Sequence, residues 1–208
     1  MSTHESGTTP DIGTIMSASP VMALFRGMDA APAVELAQRA WDVGIALVEV
    51  PIQEERYLPA LEAVVAAGRE RGLLVGAGTI TTSDRVDAVA RAGAAFTIAP
   101  GLDPDVVAAS RAAGLPHLPG VATASEIQRA VALGCTWVKA FPASLLTPSW
   151  FRAMHGPFPQ VRFVATGGID ASNAEEFLDG GASTVAVGSA LADRSQVDRL
   201  ADVIARRS

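Results

Sequence analysis

Residues 73–99 read LLVGAGTITTSDRVDAVARAGAAFTIA, and this stretch contains one complete repeat of the pattern that decides the fold. Short apolar runs at Leu73–Ala77 and Ala95–Ala99 enclose Ser83–Ala92, in which apolar side chains recur at helical spacing. Runs that are apolar throughout are typical of strands covered on both faces, as in a parallel sheet. The stretch therefore predicts a β-α-β unit with two parallel strands.

The same pattern recurs along the whole chain of 208 residues. The other predicted strands are Val21–Phe25, Leu47–Ile52, His117–Val121, Trp137–Phe141, Arg162–Ala165 and Thr184–Val187. The other predicted helices are Ala33–Val43, Leu58–Arg71, Pro104–Ala113, Ser125–Leu133, Ser149–Met154, Ser172–Leu178 and Gln196–Arg206. Eight β-then-α units with no linker between them predict a closed (β/α)8 TIM barrel in one domain, residues 20–208.

An open, doubly wound sheet is the alternative architecture. Such sheets normally carry a glycine-rich nucleotide fingerprint after the first strand, whereas here Phe25-Arg26-Gly27-Met28 follows. The closed barrel is therefore favoured. Residues 1–19 are predicted to form an N-terminal tail, in which Asp11–Ser19 makes a short helix that closes the N-terminal mouth of the barrel.

The composition indicates a soluble globular protein. The chain is 49% hydrophobic and 18% charged, with no uninterrupted apolar run long enough for a membrane span. Its formal net charge of -6 argues against a nucleic-acid partner, because such proteins normally present a basic face. One cysteine, Cys135, cannot form an internal disulfide, and the first residues lack a signal-peptide pattern. We expect a cytoplasmic location.

The basic residues are unevenly divided, because Lys139 is the only lysine beside fifteen arginines. Lysine can lose its proton and attack a carbonyl carbon to form an imine, which arginine cannot do. Burial within the apolar run Trp137–Phe141 disfavours charge on the amine, and imine formation requires the neutral amine. A structural ion pair with a strand neighbour such as Glu49 is the equally weighted alternative.

Polar residues follow several predicted strands at the barrel end where the active sites of such folds lie. Glu49 lies inside the second strand, so its carboxylate either points into the barrel or is paired, and it suits a general acid/base or a partner for a buried cation. Arg26 follows the first strand and suits recognition of a substrate carboxylate or a salt bridge at the rim.

Glycines end the last two strands, at Gly167-Gly168 and Gly188-Ser189. Loops at these two positions of a barrel commonly bind phosphate through backbone N–H groups, which requires close approach of the main chain. We favour a phosphate site over simple tight turns. The three histidines, His4, His117 and His155, have no spacing suited to a metal site, so neither a metal nor another cofactor is expected.

Six motifs in order resemble the class I aldolase family that acts on 2-keto-3-deoxy-6-phosphogluconate (KDPG) and 2-keto-3-deoxy-6-phosphogalactonate (KDPGal). The motifs are Leu47–Glu49–Ile52, Gly76-Ala77-Gly78-Thr79, Ala99-Pro100-Gly101, Leu118-Pro119-Gly120-Val121 with Thr123 and Glu126, Val138-Lys139-Ala140-Phe141-Pro142-Ala143, and Ala165-Thr166-Gly167-Gly168-Ile169. The resemblance spans roughly Val21 to Leu191.

The resemblance implies a metal-free lyase of carbohydrate metabolism, of the Entner–Doudoroff type, on a homotrimeric barrel. Its substrate would be a phosphorylated keto acid, split into pyruvate and glyceraldehyde 3-phosphate, with 4-hydroxy-2-oxoglutarate as a further substrate. By resemblance Lys139 is the Schiff-base lysine and Glu49 the general acid/base. Thr79 and Thr166 would contact the pyruvyl part, and Arg26 the substrate carboxylate. Gly167, Gly168, Gly188 and Ser189 would hold the phosphate.

The residues after Glu49 depart from the gluconate-type pattern, because Pro51 and Gln53 stand where that pattern has threonine and arginine. They resemble the galactonate branch, whereas Thr166 resembles the gluconate branch, so these residues leave the C4 epimer open. Two other functions stay open. A phosphate-binding barrel isomerase or synthase would share the glycines of the last two strands but would not require a buried lysine opposite a glutamate. A non-catalytic phospho-sugar sensor is the alternative among binding proteins.

Overall fold

A computed structural model describes residues 10–188, 191 and 193–207 of the chain. The strands are β1 (Val21–Leu24), β2 (Leu47–Pro51), β3 (Val75–Gly78), β4 (Phe96–Ile98), β5 (His117–Leu118), β6 (Gly120–Val121), β7 (Trp137–Ala140), β8 (Arg162–Thr166) and β9 (Thr184–Val187). The helices are α1 (Ile12–Met16), α2 (Ala30–Asp42), α3 (Leu58–Glu70), α4 (Asp84–Arg91), α5 (Pro104–Ala112), α6 (Ala124–Ala132), α7 (Ala143–His155), α8 (Ala174–Asp179) and α9 (Arg194–Ala205), with a 3-10 turn at Glu55–Tyr57 before α3.

All the strand pairs are parallel, in the order β5-β4-β3-β2-β1-β9-β8-β7-β6. The predicted fifth strand is divided at Pro119 into β5 and β6, and these two pieces form the ends of the sheet. The Leu118 carbonyl accepts from the Ala99 N–H at 3.0 Å, and the next carbonyl, of Pro119, accepts from the Lys139 N–H at 2.8 Å. The two edges of the sheet are therefore joined through consecutive residues, Leu118 and Pro119, so the sheet curves round on itself. The predicted TIM-like barrel is confirmed.

Side chains alternate between the inside and the outside of this barrel, as strand geometry requires. Inward-facing residues form a small apolar cluster, comprising Ile15, Met16, Met22, Leu47, Phe96, Ile98, Leu118, Val164 and Ala186. Outward-facing residues such as Val48, Val50 and Val138 pack with the helices in a second, larger cluster. Both faces of each strand are therefore buried, which explains the continuous apolar runs of the sequence.

Helix α1 closes the N-terminal end of the barrel, as predicted, although it is shorter than Asp11–Ser19. Asp11 begins it by accepting from the Gly13 and Thr14 backbone N–H groups. Ile15 and Met16 lie in the inner cluster, and the Thr184 hydroxyl donates to the Met16 carbonyl at 3.2 Å. The division into a tail of residues 1–19 and a barrel of residues 20–208 stays a prediction.

Helix α7 differs most from its prediction, because it begins at Ala143 rather than Ser149. Thr147, with φ 62° and ψ 158°, interrupts it, and Pro148 follows at once. Residues 143–146 thus form a separate helical turn, which begins two residues beyond the end of β7. None of the described helices is long and apolar enough to cross a membrane.

Candidate active site

Lys139 and Glu49 meet inside the barrel. Glu49 lies two residues after Leu47 of the inner cluster, and Lys139 two residues after Trp137, which packs against that cluster, so both side chains point inward. The Lys139 Nζ donates to Glu49 Oε1 at 3.4 Å. The lysine is only 3% exposed and the glutamate fully buried. Lys139 of β7 and Glu49 of β2 therefore meet across the barrel interior.

The surroundings leave part of this pair unsatisfied. Glu49 Oε2 is buried and has no hydrogen-bond partner among the described residues. The Lys139 amine also lies 5.6 Å from the centre of the Phe141 ring, within reach of a cation–π contact. A buried carboxylate oxygen without a donor is costly, so this atom suits a ligand hydroxyl that can donate a hydrogen bond to it.

Two more buried polar atoms without described partners lie at the carboxyl ends of strands, at the same end of the barrel as this pair. Thr166, whose Oγ1 is one of them, is the last residue of β8, and β8 pairs with β7, which carries Lys139. Gln53, whose Oε1 is the other, lies just beyond β2, which carries Glu49. Ile52 belongs to the outer cluster, so alternation places Gln53 on the same side as Glu49 and Pro51. These orphaned groups suit contacts to an oxygen-rich ligand.

The predicted phosphate-binding glycines lie at the carboxyl ends of the paired strands β8 and β9. Gly167 and Gly168 have φ angles of 98° and 75°, which side-chain-bearing residues rarely adopt. The Gly167 carbonyl accepts from the Ser144 N–H at 3.0 Å, and the Asn173 amide donates to the Gly168 carbonyl at 2.9 Å. Gly188 directly follows β9. Ser189 lies outside the described residues.

Thr79 and Arg26 lie at the same end of the barrel. Thr79 directly follows β3 and has φ 61°, a strained value for a β-branched residue of the kind that clusters at functional sites. Arg26 follows β1 and is exposed, and within the described ranges no hydrogen bond or ion pair holds its guanidinium. It is therefore free to bind an anion.

Residues 12–205 match the family described as "Aldolase: KDPG and KHG aldolase", where KHG stands for 2-keto-4-hydroxyglutarate. The chain belongs to the KDPG and KHG aldolase family. It is 41% identical over 161 residues to a 2-dehydro-3-deoxy-phosphogluconate aldolase of Treponema pallidum, covering 76% of this chain and 74% of that one. It is 30% identical over 173 residues to a 2-dehydro-3-deoxy-6-phosphogalactonate aldolase of Escherichia coli K12, covering 83% and 84%.

A solved structure of the family extends the likeness to three dimensions. The KDPG aldolase of Legionella pneumophila, captured with pyruvate as a covalent carbinolamine intermediate, superposes with a TM-score of 0.81 at 30% identity. The match covers 94% of this chain and 97% of that one. A thiamine phosphate pyrophosphorylase of Pyrococcus furiosus, 19% identical with a TM-score of 0.74, shares the fold alone.

Two contacts that shape this site of a KDPG and KHG aldolase family member could not be predicted from the sequence. Ser144 lies against Gly168, where an added Cβ would be 2.6 Å from the Ser144 Cβ. Gly78 lies against the Glu49 carboxylate. Both contacts join residues far apart in the chain, and only the glycines themselves signal that another group approaches closely. Gln53 was noted as a departure from a motif, but its buried, unpaired oxygen is visible only in three dimensions.

Proposed function

We propose that this chain is a class I aldolase that splits a 2-keto-3-deoxy-6-phospho sugar acid into pyruvate and glyceraldehyde 3-phosphate. The observation that carries the proposal is the buried Lys139 amine 3.4 Å from the Glu49 carboxylate, at the catalytic end of a barrel of this family. The relatives named as phosphogluconate and phosphogalactonate aldolases support the substrate class.

Lys139 supplies the covalent step. A proton shared by the pair moves to Glu49, and the neutral amine adds to the C2 ketone to give a carbinolamine. Glu49 returns the proton to the C2 oxygen, water leaves, and a cationic iminium joins Lys139 to the substrate. The geometry suits this exchange, because one carboxylate oxygen faces the amine and the other has no described partner.

Glu49 then serves as the base of the cleavage step. It takes the proton of the C4 hydroxyl as the C3–C4 bond breaks, and the bonding electrons move into the iminium to give an enamine. The aldehyde leaves as glyceraldehyde 3-phosphate. Glu49, which now carries the C4 proton, protonates the enamine at C3, and addition of water to the resulting iminium releases pyruvate and restores the lysine.

The remaining residues of the site are proposed as substrate contacts. Thr166 and Thr79 lie at the ends of β8 and β3 and would bind the pyruvyl part, and Arg26 would pair with the carboxylate. Gly167, Gly168, Gly188 and Ser189 would present main-chain N–H groups to the phosphate.

Borohydride trapping tests this assignment. Added with pyruvate, it reduces the imine to a stable secondary amine, and peptide mapping should find the adduct at Lys139, the only lysine. A coupled dehydrogenase assay should show pyruvate release from one or both C4 epimers, assayed side by side. Lys139→Arg keeps the charge but cannot form an imine, so an active Lys139→Arg enzyme would remove the lysine from the mechanism.

The assembly is proposed on the family resemblance, and the location on the sequence. We expect a homotrimer, and one similar solved chain, at 28% identity and a TM-score of 0.78, comes from a protein cage designed by fusing symmetric oligomeric domains. Light scattering after size exclusion measures the subunit number directly. We also expect a cytoplasmic enzyme, which cell fractionation tests.

A further inference from the structure

Gly78 of β3 has no room for a side chain. Its φ is not among the positive values in the described chain, so its backbone conformation is open to any residue. A Cβ built on it would nevertheless lie 1.8 Å from Glu49 Oε1, 2.6 Å from its Cδ and 2.7 Å from its Cγ. Glycine in a strand marks the close approach of another group, and here that group is the Glu49 carboxylate.

The register of the two strands shows why this space matters. Glu49 is level with Gly76, whereas Gly78 is level with Pro51, two residues nearer the catalytic end. The Glu49 side chain therefore leans along the barrel, from the level of Gly76 to that of Gly78. In that position its Oε1 meets the Lys139 amine.

Little else fixes the carboxylate in place. Within the described part of the chain its single hydrogen bond comes from Lys139, and Oε2 has no partner. Once Lys139 is bound to substrate as an iminium, that hydrogen bond is altered. Contact with the surface of Gly78 then has to keep the carboxylate next to the reacting atoms.

We propose that Gly78 is a positioning residue, whose bare Cα forms the seat that holds the Glu49 carboxylate beside the Lys139 amine. This inference rests on the proposed function, in which Glu49 carries protons for the imine chemistry. The seat acts only through Glu49. Its loss should therefore slow the proton transfers that Glu49 carries out, while Lys139, given time, still forms the imine.

Gly78→Ala is the test variant. The added methyl has to push the carboxylate away by roughly 1 Å or more to reach ordinary van der Waals separation, a misplacement that costs on the order of 10²-fold in rate. The obstacle is the end of a side chain rather than backbone, so the protein should still fold.

Gly76→Ala is the matched control. Gly76 lies on the same strand and face and is equally short of space, but its Cβ would meet the Phe96 ring at 2.1 Å rather than Glu49. This variant should lose stability while the folded enzyme keeps its rate of proton transfer.

Two readouts on pyruvate separate positioning from general damage. The final amount of borohydride adduct counts the molecules able to form the imine, and the rate of methyl-proton exchange in deuterated water reports proton transfer. We expect exchange per adduct to fall about 10²-fold in Gly78→Ala and by less than about twofold in Gly76→Ala. Unchanged exchange per adduct in Gly78→Ala would overturn the inference.

A double-mutant cycle with Glu49→Gln decides whether the effect passes through the carboxylate. In the Glu49→Gln background, Gly78→Ala should lower the exchange rate per adduct by less than about twofold, because the base that it displaces is already absent. A further loss of about 10²-fold in that background would show that Gly78 does not act through Glu49. Absence of adduct in the unaltered enzyme would instead refute the proposed function.

If Gly78→Ala does not fold, the thermal midpoint decides the question. Glu49→Ala removes the occupant of the seat, so adding Gly78→Ala to it should lower the thermal midpoint no further than Glu49→Ala does alone. A further loss would show that something other than the carboxylate fills the space, against the inference.

Discussion

Lys139 and Glu49 are two charged side chains taken out of water, and such a pair contributes little to stability. Desolvation of both groups offsets much of their attraction, and an apolar pair of the same volume is often as stable or more so. The structure adds to that cost by leaving Glu49 Oε2 without a described partner. A chemical role explains why the barrel interior holds this pair.

Glu49→Gln keeps the size of the side chain but loses the base. We expect kcat to fall on the order of 10²–10⁴-fold, with a much smaller change in substrate affinity. Steady-state kinetics and the thermal midpoint are measured on one preparation. A well-folded variant with near-normal kcat would contradict the catalytic role, whereas loss of stability with full activity of the folded fraction would make Glu49 only the structural partner of Lys139.

Exhaustive chelation should leave turnover unchanged. The iminium at Lys139 withdraws the electrons of the C3–C4 bond, which is the task of the divalent cation in metal-dependent aldolases. The measurement is kcat before and after dialysis against EDTA. Loss of activity that Mg²⁺ or Zn²⁺ restores would overturn the class I assignment.

At the scale of elements, a buried polar cluster joins β4, α5 and β5. His117 Nδ1 lies 2.8 Å from the Thr97 hydroxyl and 3.4 Å from that of Ser110, and its Nε2 has no described partner. Burial, with a smaller contribution from Arg111, lowers the pKa of His117 to about 4. The imidazole is therefore neutral in the folded protein and connects the barrel to its helical layer.

This cluster predicts a pH dependence of stability. The unfolded chain protonates His117 below its ordinary pKa of about 6.5, whereas the folded protein resists protonation until about pH 4. Stability should therefore be complete above pH 6.5 and fall as the pH drops from 6.5 to 4, by roughly 3 kcal/mol in all. Urea denaturation at several pH values measures the slope.

His117→Asn is the control for that slope, because asparagine keeps a hydrogen-bonding group near Thr97 but does not titrate. Its stability should vary less with pH than that of the unaltered protein across the same window. Equal slopes in the two proteins would show that other groups cause the loss.

Much of this layout was predictable from the sequence, because apolar runs and amphipathic segments report burial directly. The strands and the convergence of Glu49 and Lys139 follow from alternation within each strand. The break at Pro119 and the extra turn Ala143–Leu146 were missed, since Pro119 stands within an apolar run and Pro142 and Pro148 enclose the turn. The close contacts of Gly78 and Gly168 depend on distances between strands, which a linear pattern does not contain.

In the molecule as a whole, the two ends of the barrel interior differ in polarity. Helix α1 and the inner cluster fill the N-terminal end with apolar side chains, whereas the other end holds the buried charged pair and the orphaned polar atoms. The apolar filling makes the lower half of the barrel a rigid base for the site above it. Stability and chemistry should therefore respond to different substitutions.

Met16→Ala tests this division. Met16 is fully buried in the inner cluster, so truncation should cost roughly 2–5 kcal/mol of unfolding free energy, with kcat of the folded enzyme unchanged. Ser17→Ala, at an exposed neighbouring position, should change stability by less than about 0.5 kcal/mol. Chemical denaturation and kinetics measure both. A Met16→Ala enzyme of normal stability would mean that α1 does not anchor the barrel.

Because the chain has a single lysine, proteolysis at that residue can measure how often the barrel unfolds. A lysine-specific endoprotease has one cleavage point in the entire sequence, and that point lies in β7, where Lys139 is 3% exposed. The native barrel should resist the protease, and each cut should yield the same two fragments. When opening and closing are fast relative to cleavage, the digestion rate follows the population of opened molecules. A pyruvate adduct on Lys139 would remove the cleavage point itself, so one gel would report both opening and covalent occupancy.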